Sequence, residues 1–138
     1  MTLTAADRRL VRTSFDALRE QSGPLGLLFY GKLFELDPSA RAMFHVDLGE
    51  QVRKLMDMLA WIVQSLDDAD AMTGRLGELG RQHAGYGVRT DQYDTVTAAL
   101  LFAFAQALGP DFDTATRAAW RAALTAVTAA MQQGASRT

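Results

Sequence analysis

The sequence predicts an all-α fold. Apolar residues recur three, four and seven positions apart through most of the 138 residues, and no segment alternates polar and apolar residues over the length of a strand. Glycine, proline and capping residues divide this pattern into about seven helices with short connections. The length suits one domain, so we expect residues 1–138 to form a single one. Periodicity alone leaves open a parallel bundle or a crossed-helix arrangement.

The first predicted helix starts with a capping box. Thr4 is followed three positions later by Asp7, whose carboxylate replaces the usual glutamate. The inner face of this helix consists of Val11, Phe15 and Leu18, which share one stripe at helical spacing. The helix is expected to end at the stretch "QSGPLG".

Two further helices and a corner follow. We expect a helix from about Pro24, and then a corner in "ELDPSARAMF", where Asp37 caps a short helical turn that begins at Pro38. The next segment, "VDLGEQVRKLMDMLAWIVQSLDD", is long and strongly amphipathic. Its apolar face is lined by Gln51, Leu55, Met58, Leu59 and Ile62.

The segment "DDADAMTGRLGELGRQHAGYG" predicts a connection and then a helix with unusually many glycines. Leu76, Leu79 and His83 share one face of this helix. Each interior glycine costs about 1 kcal/mol relative to alanine, so we expect the helix to be marginal by itself. We also expect these glycines to let the backbone approach a flat ligand. They are Gly74, Gly77 and Gly80.

Two helices complete the chain. Thr90 is the expected cap of the first, which ends at "LGPD", and Asp113 begins the last. The apolar stripe of the last helix repeats at intervals of four, three and four residues: Trp120, Leu124, Val127 and Met131.

Composition excludes several classes of function. The net charge of −2 carries no electrostatic footprint for nucleic acid, and the absence of cysteine excludes disulfides, Fe–S clusters and thiolate chemistry. The start "MTLTAADRRL" is too polar for a signal peptide, and no apolar run reaches the ~18–20 residues that span a bilayer. We therefore expect a soluble, cytoplasmic protein that binds neither nucleic acid nor membranes.

His83 is the residue that most suggests chemistry. A histidine on the inner face of a glycine-weakened helix is either a core residue with satisfied hydrogen bonds or an axial ligand to iron in a planar macrocycle. In the second case the coordinate bond would support the weak helix. From the residues alone, both interpretations stay open.

Four stretches carry a family resemblance: "GPLGLLFYGKLFELDPSARAMF", "GEQVRKL", "GRQHAGYGVRTDQYDTVTAALL" and "AAW". In order and separation they resemble the bacterial globins, above all the single-domain haemoglobins and the globin part of flavohaemoglobins. The resemblance extends from about residue 5 to residue 133 and implies a globin fold, with about seven helices packed around a haem pocket.

The resemblance also implies roles for individual residues. His83 matches the proximal histidine that binds haem iron, Phe44 the phenylalanine that packs flat against the porphyrin, and Tyr30 the distal tyrosine. The alternative for position 30 is a core tyrosine whose hydroxyl binds a backbone group. The alternative for position 51 is a solvated side chain at a helix start. The other implied residues of the haem pocket are Gln51 and Leu55 on the distal side, Tyr93 on the proximal side, and Val88 and Val96 at the haem edge.

The implied function is reversible binding of O2, and also of NO and CO, to haem b (iron protoporphyrin IX), for oxygen binding, transport or delivery. Hydroxyl and amide donors at Tyr30 and Gln51 would stabilise a diatomic ligand that carries partial negative charge. The first alternative is an NO dioxygenase served by an external reductase. The second is a regulatory globin that binds partners without haem. A monomer and a homodimer are both compatible with the sequence.

The sequence departs from the flavohaemoglobin pattern in two ways. It ends at Thr138, where those proteins continue into a reductase domain, and its last residues, "MQQGASRT", lack the glutamate that pairs with the proximal histidine and tyrosine. A carboxylate partner makes a ligating imidazole more basic. Without it, we expect His83 to donate to a backbone carbonyl, as in simple oxygen-binding globins, and the chain to have weaker dioxygenase or peroxidase character.

Overall fold

Helices account for nearly all of the chain that the computed structural model describes, which is residues 3–43, 47–85 and 88–135. Two 3₁₀ helices occur in these ranges, Pro38–Met43 (the corner helix) and Gly109–Asp111, and no strand does. The all-α prediction is confirmed, with six α-helices where about seven helices were expected. They are α1 (Ala5–Arg19), α2 (Ser22–Leu36), α3 (Leu48–Gln64), α4 (Ala69–Gly85), α5 (Thr90–Leu108) and α6 (Thr114–Ala135).

The predicted starts of α1 and α6 are confirmed. The Asp7 N–H donates to the Thr4 hydroxyl at 3.0 Å while the Asp7 carboxylate accepts the Thr4 N–H at 3.2 Å, which completes the capping box. At α6 the carboxylate of Asp113 accepts the Thr116 N–H at 2.8 Å. Both caps satisfy first-turn donors that have no partner inside the helix.

Two predicted helix starts shift by one or two residues. Helix α2 begins at Ser22 rather than near Pro24. Helix α5 has Arg89 as its cap residue and Thr90 as its first helical residue, so the prediction of Thr90 as the cap is wrong. The side chain of Gln92 folds back to accept the Arg89 N–H at 2.8 Å. A glutamine at the third helical position is half of a capping box, and here its side chain binds the N–H of the cap residue.

The centre of the molecule is an aromatic core, which we define by Phe15, Phe104 and Trp120. The rings of Phe104 and Trp120 have their centroids 4.6 Å apart, and both side chains are fully buried. The indole N–H of Trp120 donates to the Ser14 hydroxyl at 2.7 Å, so the one polar atom of this side chain has a partner. The core thereby joins α1, α5 and α6.

Helix α4 packs against α6 by a different means, which we call the glycine seam: Gly77 and Gly80 of α4, and Met131 and Gly134 of α6. A Cβ added at Gly80 would collide with the carbonyl oxygen of Met131, and one at Gly134 with that of Gly77. Backbone therefore lies directly on backbone. The expectation that the glycines of α4 approach a flat ligand is wrong for Gly77 and Gly80, because these two face α6.

A third close approach occurs where α2 crosses α3. A Cβ at Gly26 would overlap the side chain of Val52, closer than van der Waals contact allows, so the crossing requires glycine. Tyr30 lies one helical turn after Gly26, and Gln51 directly precedes Val52. The contact between Gly26 and Val52 therefore brings Tyr30 close to Gln51, and the sequence analysis assigned both of these residues to one pocket.

Across the described ranges, none of the helices combines the length and the apolar character needed to cross a membrane.

Candidate functional site

His83 lies on the last turns of α4, half-buried, with one ring nitrogen already in use. Its Nδ1 lies 2.7 Å from the carbonyl oxygen of Leu79, one turn earlier. A carbonyl oxygen only accepts, so Nδ1 carries the proton and donates to it. The neutral tautomer with its proton on Nδ1 has a lone pair on Nε2, as a ligating imidazole requires.

The other faces of α4 explain why the His83 side is available. At about 100° per residue, Leu79 lies about 100° and His83 about 60° round the helix from Gly80, both on the side away from Gly77. Among the described residues α6 is the helix whose backbone runs alongside α4, and α3 makes no comparable approach. The two helices meet through longer side chains, as where the Arg75 guanidinium lies 5.1 Å from the centre of the Trp61 ring.

Tyr30 and Gln51 are in direct contact, but not through the Gln51 side chain. The Tyr30 hydroxyl donates to the backbone carbonyl of Gln51 at 3.2 Å. The Tyr30 ring is buried and packs edge-on against Phe29, with centroids 4.8 Å apart. This is the backbone-bound hydroxyl that the sequence analysis kept as an alternative for position 30.

Burial controls the protonation of both tyrosines that were predicted for the site. Burial raises the pKa of Tyr30 to about 12 and also raises the pKa of Tyr93. Because the charged phenolate is disfavoured in a poorly hydrated environment, both hydroxyls stay protonated near neutral pH. Each is therefore a neutral hydrogen-bond donor and neither is a base.

The remaining predicted residues divide into three groups. Val88 and Tyr93 line a common cavity of about 220 Å³ at the C-terminal ends of α4 and α6, and the Val88 N–H donates to the His83 carbonyl at 3.0 Å. Leu55 and Val96 are half-buried against the apolar core. Phe44 lies outside the described residues.

A larger groove of about 620 Å³ lies elsewhere, between the start of α2 and the first half of α3. Its apolar lining includes Leu27, Val52 and Met56, and none of the residues predicted for the site lines it. The predicted site and this groove are therefore different places.

The sequence analysis missed Gln92, whose side chain is one of two buried polar side chains among the described residues. Besides capping α5, its amide nitrogen donates to the Asp37 carboxylate at 2.8 Å. The available signal was its place three positions after Arg89 at a helix start, which is where a capping glutamine belongs.

Comparison with known sequences decides the family. The family model described as "Globin" matches residues 27–131, which is well over half of the chain. The chain belongs to the globin family.

Relatives and solved structures agree with the assignment to the globins. The chain is 31% identical to neuroglobin of Danio rerio and 32% identical to neuroglobin of Chaenocephalus aceratus, in both cases over 96% of this chain and 92% of the relative. Its fold matches an engineered carbene transferase made from a candidate nitric oxide dioxygenase of Rhodothermus marinus. That match has a TM-score of 0.86 and 28% identity, and it covers 99% of this chain and 95% of the other.

The side chains of this globin fit a haem better than a bare metal ion. In the described ranges, no three histidine, cysteine, aspartate or glutamate side chains come together to hold a metal. Haem iron needs few ligands from the protein, because the porphyrin supplies the others. Three features suit that group: Nε2 of His83 has no hydrogen-bond partner among the described residues, α3 does not run alongside α4, and Tyr30 is a neutral donor.

Proposed function

We propose that this globin binds haem b through His83 and holds O2 reversibly on the opposite side, with NO and CO as further ligands. The observation that carries the proposal is the hydrogen bond from His83 Nδ1 to the Leu79 carbonyl, because it fixes the tautomer that leaves Nε2 able to bind iron. When bound, haem supplies an iron atom that takes up diatomic gases.

The protein's part on the ligand side is to donate hydrogen bonds and to exclude water. Tyr30 is buried and protonated, and rotation about its C–O bond turns the hydroxyl hydrogen from the Gln51 carbonyl toward a ligand. Apolar surface comes from Leu55 and Phe44, and at the haem edge from Val88 and Val96. A neutral carbonyl partner at His83, rather than a carboxylate, favours reversible binding over catalysis that requires a strongly basic proximal ligand.

The first test is whether His83 binds the haem. We expect purified, haem-reconstituted protein to show a Soret band that shifts between ferric, ferrous and CO-bound forms. His83→Ala should lose the wild-type spectrum and most of the haem. The chain has one other histidine, so His45→Ala is the matched control and should keep both. Wild-type haem content and an unaltered spectrum in His83→Ala would contradict the proposal.

The second test concerns the distal hydroxyl. A hydrogen bond to a charged acceptor contributes about 1.5–3 kcal/mol, which corresponds to roughly 10- to 150-fold in dissociation. Because the Tyr30 hydroxyl also has the Gln51 carbonyl as a partner, we expect the lower end for Tyr30→Phe, about tenfold faster O2 release in stopped-flow measurements. Tyr93→Phe removes the hydroxyl of another buried tyrosine, which the sequence analysis assigned to the proximal side, and should release O2 at nearly the wild-type rate. An unchanged rate of O2 release from Tyr30→Phe would mean that the Tyr30 hydroxyl does not bind the ligand and only donates to the Gln51 carbonyl of α3.

A second candidate function is NO dioxygenation, in which NO and bound O2 yield nitrate and an external reductase returns the iron to the ferrous state. It is favoured by the likeness to the Rhodothermus marinus protein. The two functions differ in turnover. With a reductase and NADH present, sustained NO consumption over many equivalents would support the dioxygenase, whereas consumption that stops after one equivalent would support reversible binding.

A further inference from the structure

A partly buried polar network joins the end of α2 to the start of α5, and its residues Asp37 and Gln92 lie 55 positions apart in the sequence. The Gln92 side chain is only 5% exposed. Its Nε2 donates to Asp37 Oδ2 at 2.8 Å, and its Oε1 accepts the Arg89 N–H, also at 2.8 Å. The guanidinium of Arg89 lies 3.6 Å from the same Asp37 oxygen. Both ends of the Gln92 amide are therefore bound to protein.

The other oxygen of Asp37 holds the corner helix. Asp37 Oδ1 accepts the backbone N–H of Ser39 at 3.1 Å and also its hydroxyl. Hydrogen bonds from Ser39 and Gln92, together with the charge of Arg89, hold the pKa of the Asp37 carboxyl below its usual value. One ionised carboxylate thus binds the corner helix with one oxygen and α5 with the other.

The two segments that this network joins flank the candidate site. On one side, the corner helix ends at position 43, directly before Phe44. On the other, Arg89 follows Val88, whose N–H donates to the His83 carbonyl at 3.0 Å. A displacement of either segment would move a residue that the proposed function places against haem.

We propose that Asp37, Gln92 and Arg89 form a clamp that holds the start of α5 to the corner helix and thereby slows the loss of haem. The proposal rests on the haem-binding function proposed above. The three are positioning residues, because they act through the backbone on either side of them and not by contact with iron or gas. Haem release requires the two flanking segments to separate, and this separation breaks the bonds to Asp37.

The test is the rate at which haem leaves ferric, haem-loaded protein for an excess of a haem-scavenging apoprotein. Gln92→Leu keeps the side-chain volume but removes both hydrogen bonds. We expect at least about fivefold faster haem loss, since one hydrogen bond to a charged group corresponds to roughly tenfold or more. The matched control is Thr116→Val. Thr116 is the other buried polar side chain, also 5% exposed, and it also hydrogen-bonds an aspartate, Asp113, but at the start of α6.

A double-mutant cycle separates a clamp from general loosening of the structure. Asp37→Asn leaves one acceptor oxygen to serve both Ser39 and Gln92, so it should also speed haem loss. If the two residues act as one unit, the pair Asp37→Asn and Gln92→Leu should release haem little faster than the faster single variant. Independent damage would multiply the two rates.

Three results would overturn the clamp. They are wild-type haem loss in Gln92→Leu, an equal acceleration in Thr116→Val, and multiplicative rates in the double variant. If the wild-type protein takes up no haem, the proposed haem-binding function fails together with the clamp. If the wild-type protein takes up haem and one of these three results is obtained, only the clamp fails. Faster loss in both single variants, without multiplication and with a slow control, would support the clamp.

Discussion

The aromatic core and the glycine seam hold helices together in opposite ways. In the core, Trp120 and Phe104 fill the space between α1, α5 and α6 with large, fully buried rings. In the seam, Gly80 and Gly134 bring the backbones of α4 and α6 into contact because they have no side chains. The core is stabilised by buried apolar area, and the seam by close backbone packing.

The difference has a consequence for the site. Helix α4 meets α6 backbone to backbone along one stripe, and it also buries Met72 and Leu76 in the apolar core. Its neighbouring face, with Leu79 and His83, stays available to the site. Two of the three glycines that weaken α4, Gly77 and Gly80, therefore position it against α6.

The largest effect is expected in the core. Trp120→Ala should lower the free energy of unfolding by about 3–5 kcal/mol, because it leaves a cavity where the surrounding helices cannot fully collapse. Urea unfolding followed by far-UV circular dichroism would measure the loss. Trp61→Ala is the control, since Trp61 is only partly buried, and it should cost clearly less. Equal losses at the two positions would remove the special role assigned to the core.

A smaller loss is expected in the seam, from the addition of a single methyl group. Gly80→Ala should destabilise the protein by about 1–3 kcal/mol, because the new Cβ collides with backbone that cannot move without shifting α6. Helix propensity acts in the opposite direction, by about 1 kcal/mol, so a net loss would be direct evidence of the close approach. Stabilisation by Gly80→Ala in the same urea assay would mean that the helices are not in contact there.

The smallest effect has the opposite sign. Gly74 lies on the exposed face of the same helix, and a Cβ there would meet nothing within 4 Å. Gly74→Ala should therefore stabilise the protein by about 0.5–1 kcal/mol through backbone entropy alone. A rise in urea midpoint for Gly74→Ala with a fall for Gly80→Ala would confirm that only Gly80 packs against α6. Changes of the same sign in both variants would contradict this difference.

Local signals in the sequence predicted much of this molecule. The capping box at Thr4 and the helix start at Asp113 were found because a cap depends on residues three or four positions apart. The inner stripe of α1 was found because burial follows helical periodicity. The start of α5 was misplaced because a hydroxyl at position 90 suggested a cap, whereas the cap residue is Arg89 and the Gln92 side chain binds its N–H.

Contacts between distant segments could not be predicted in this way. Three glycines of α4 look alike in the sequence, yet Gly77 and Gly80 face α6 and Gly74 faces solvent. The Tyr30 hydroxyl binds a carbonyl of α3, and Gln92 binds Asp37. Each of these depends on which helix lies opposite, and that is decided by packing over the whole chain.

Periodicity, caps and motif spacing predicted the helical fold class and the family from the sequence alone, because these signals act over short distances. The tertiary structure decided which glycines pack, which nitrogen of His83 is engaged, where the Tyr30 hydroxyl points and which residues join the two flanks of the site. These features depend on contacts between residues far apart in the chain, and only the packed arrangement of all the helices fixes them.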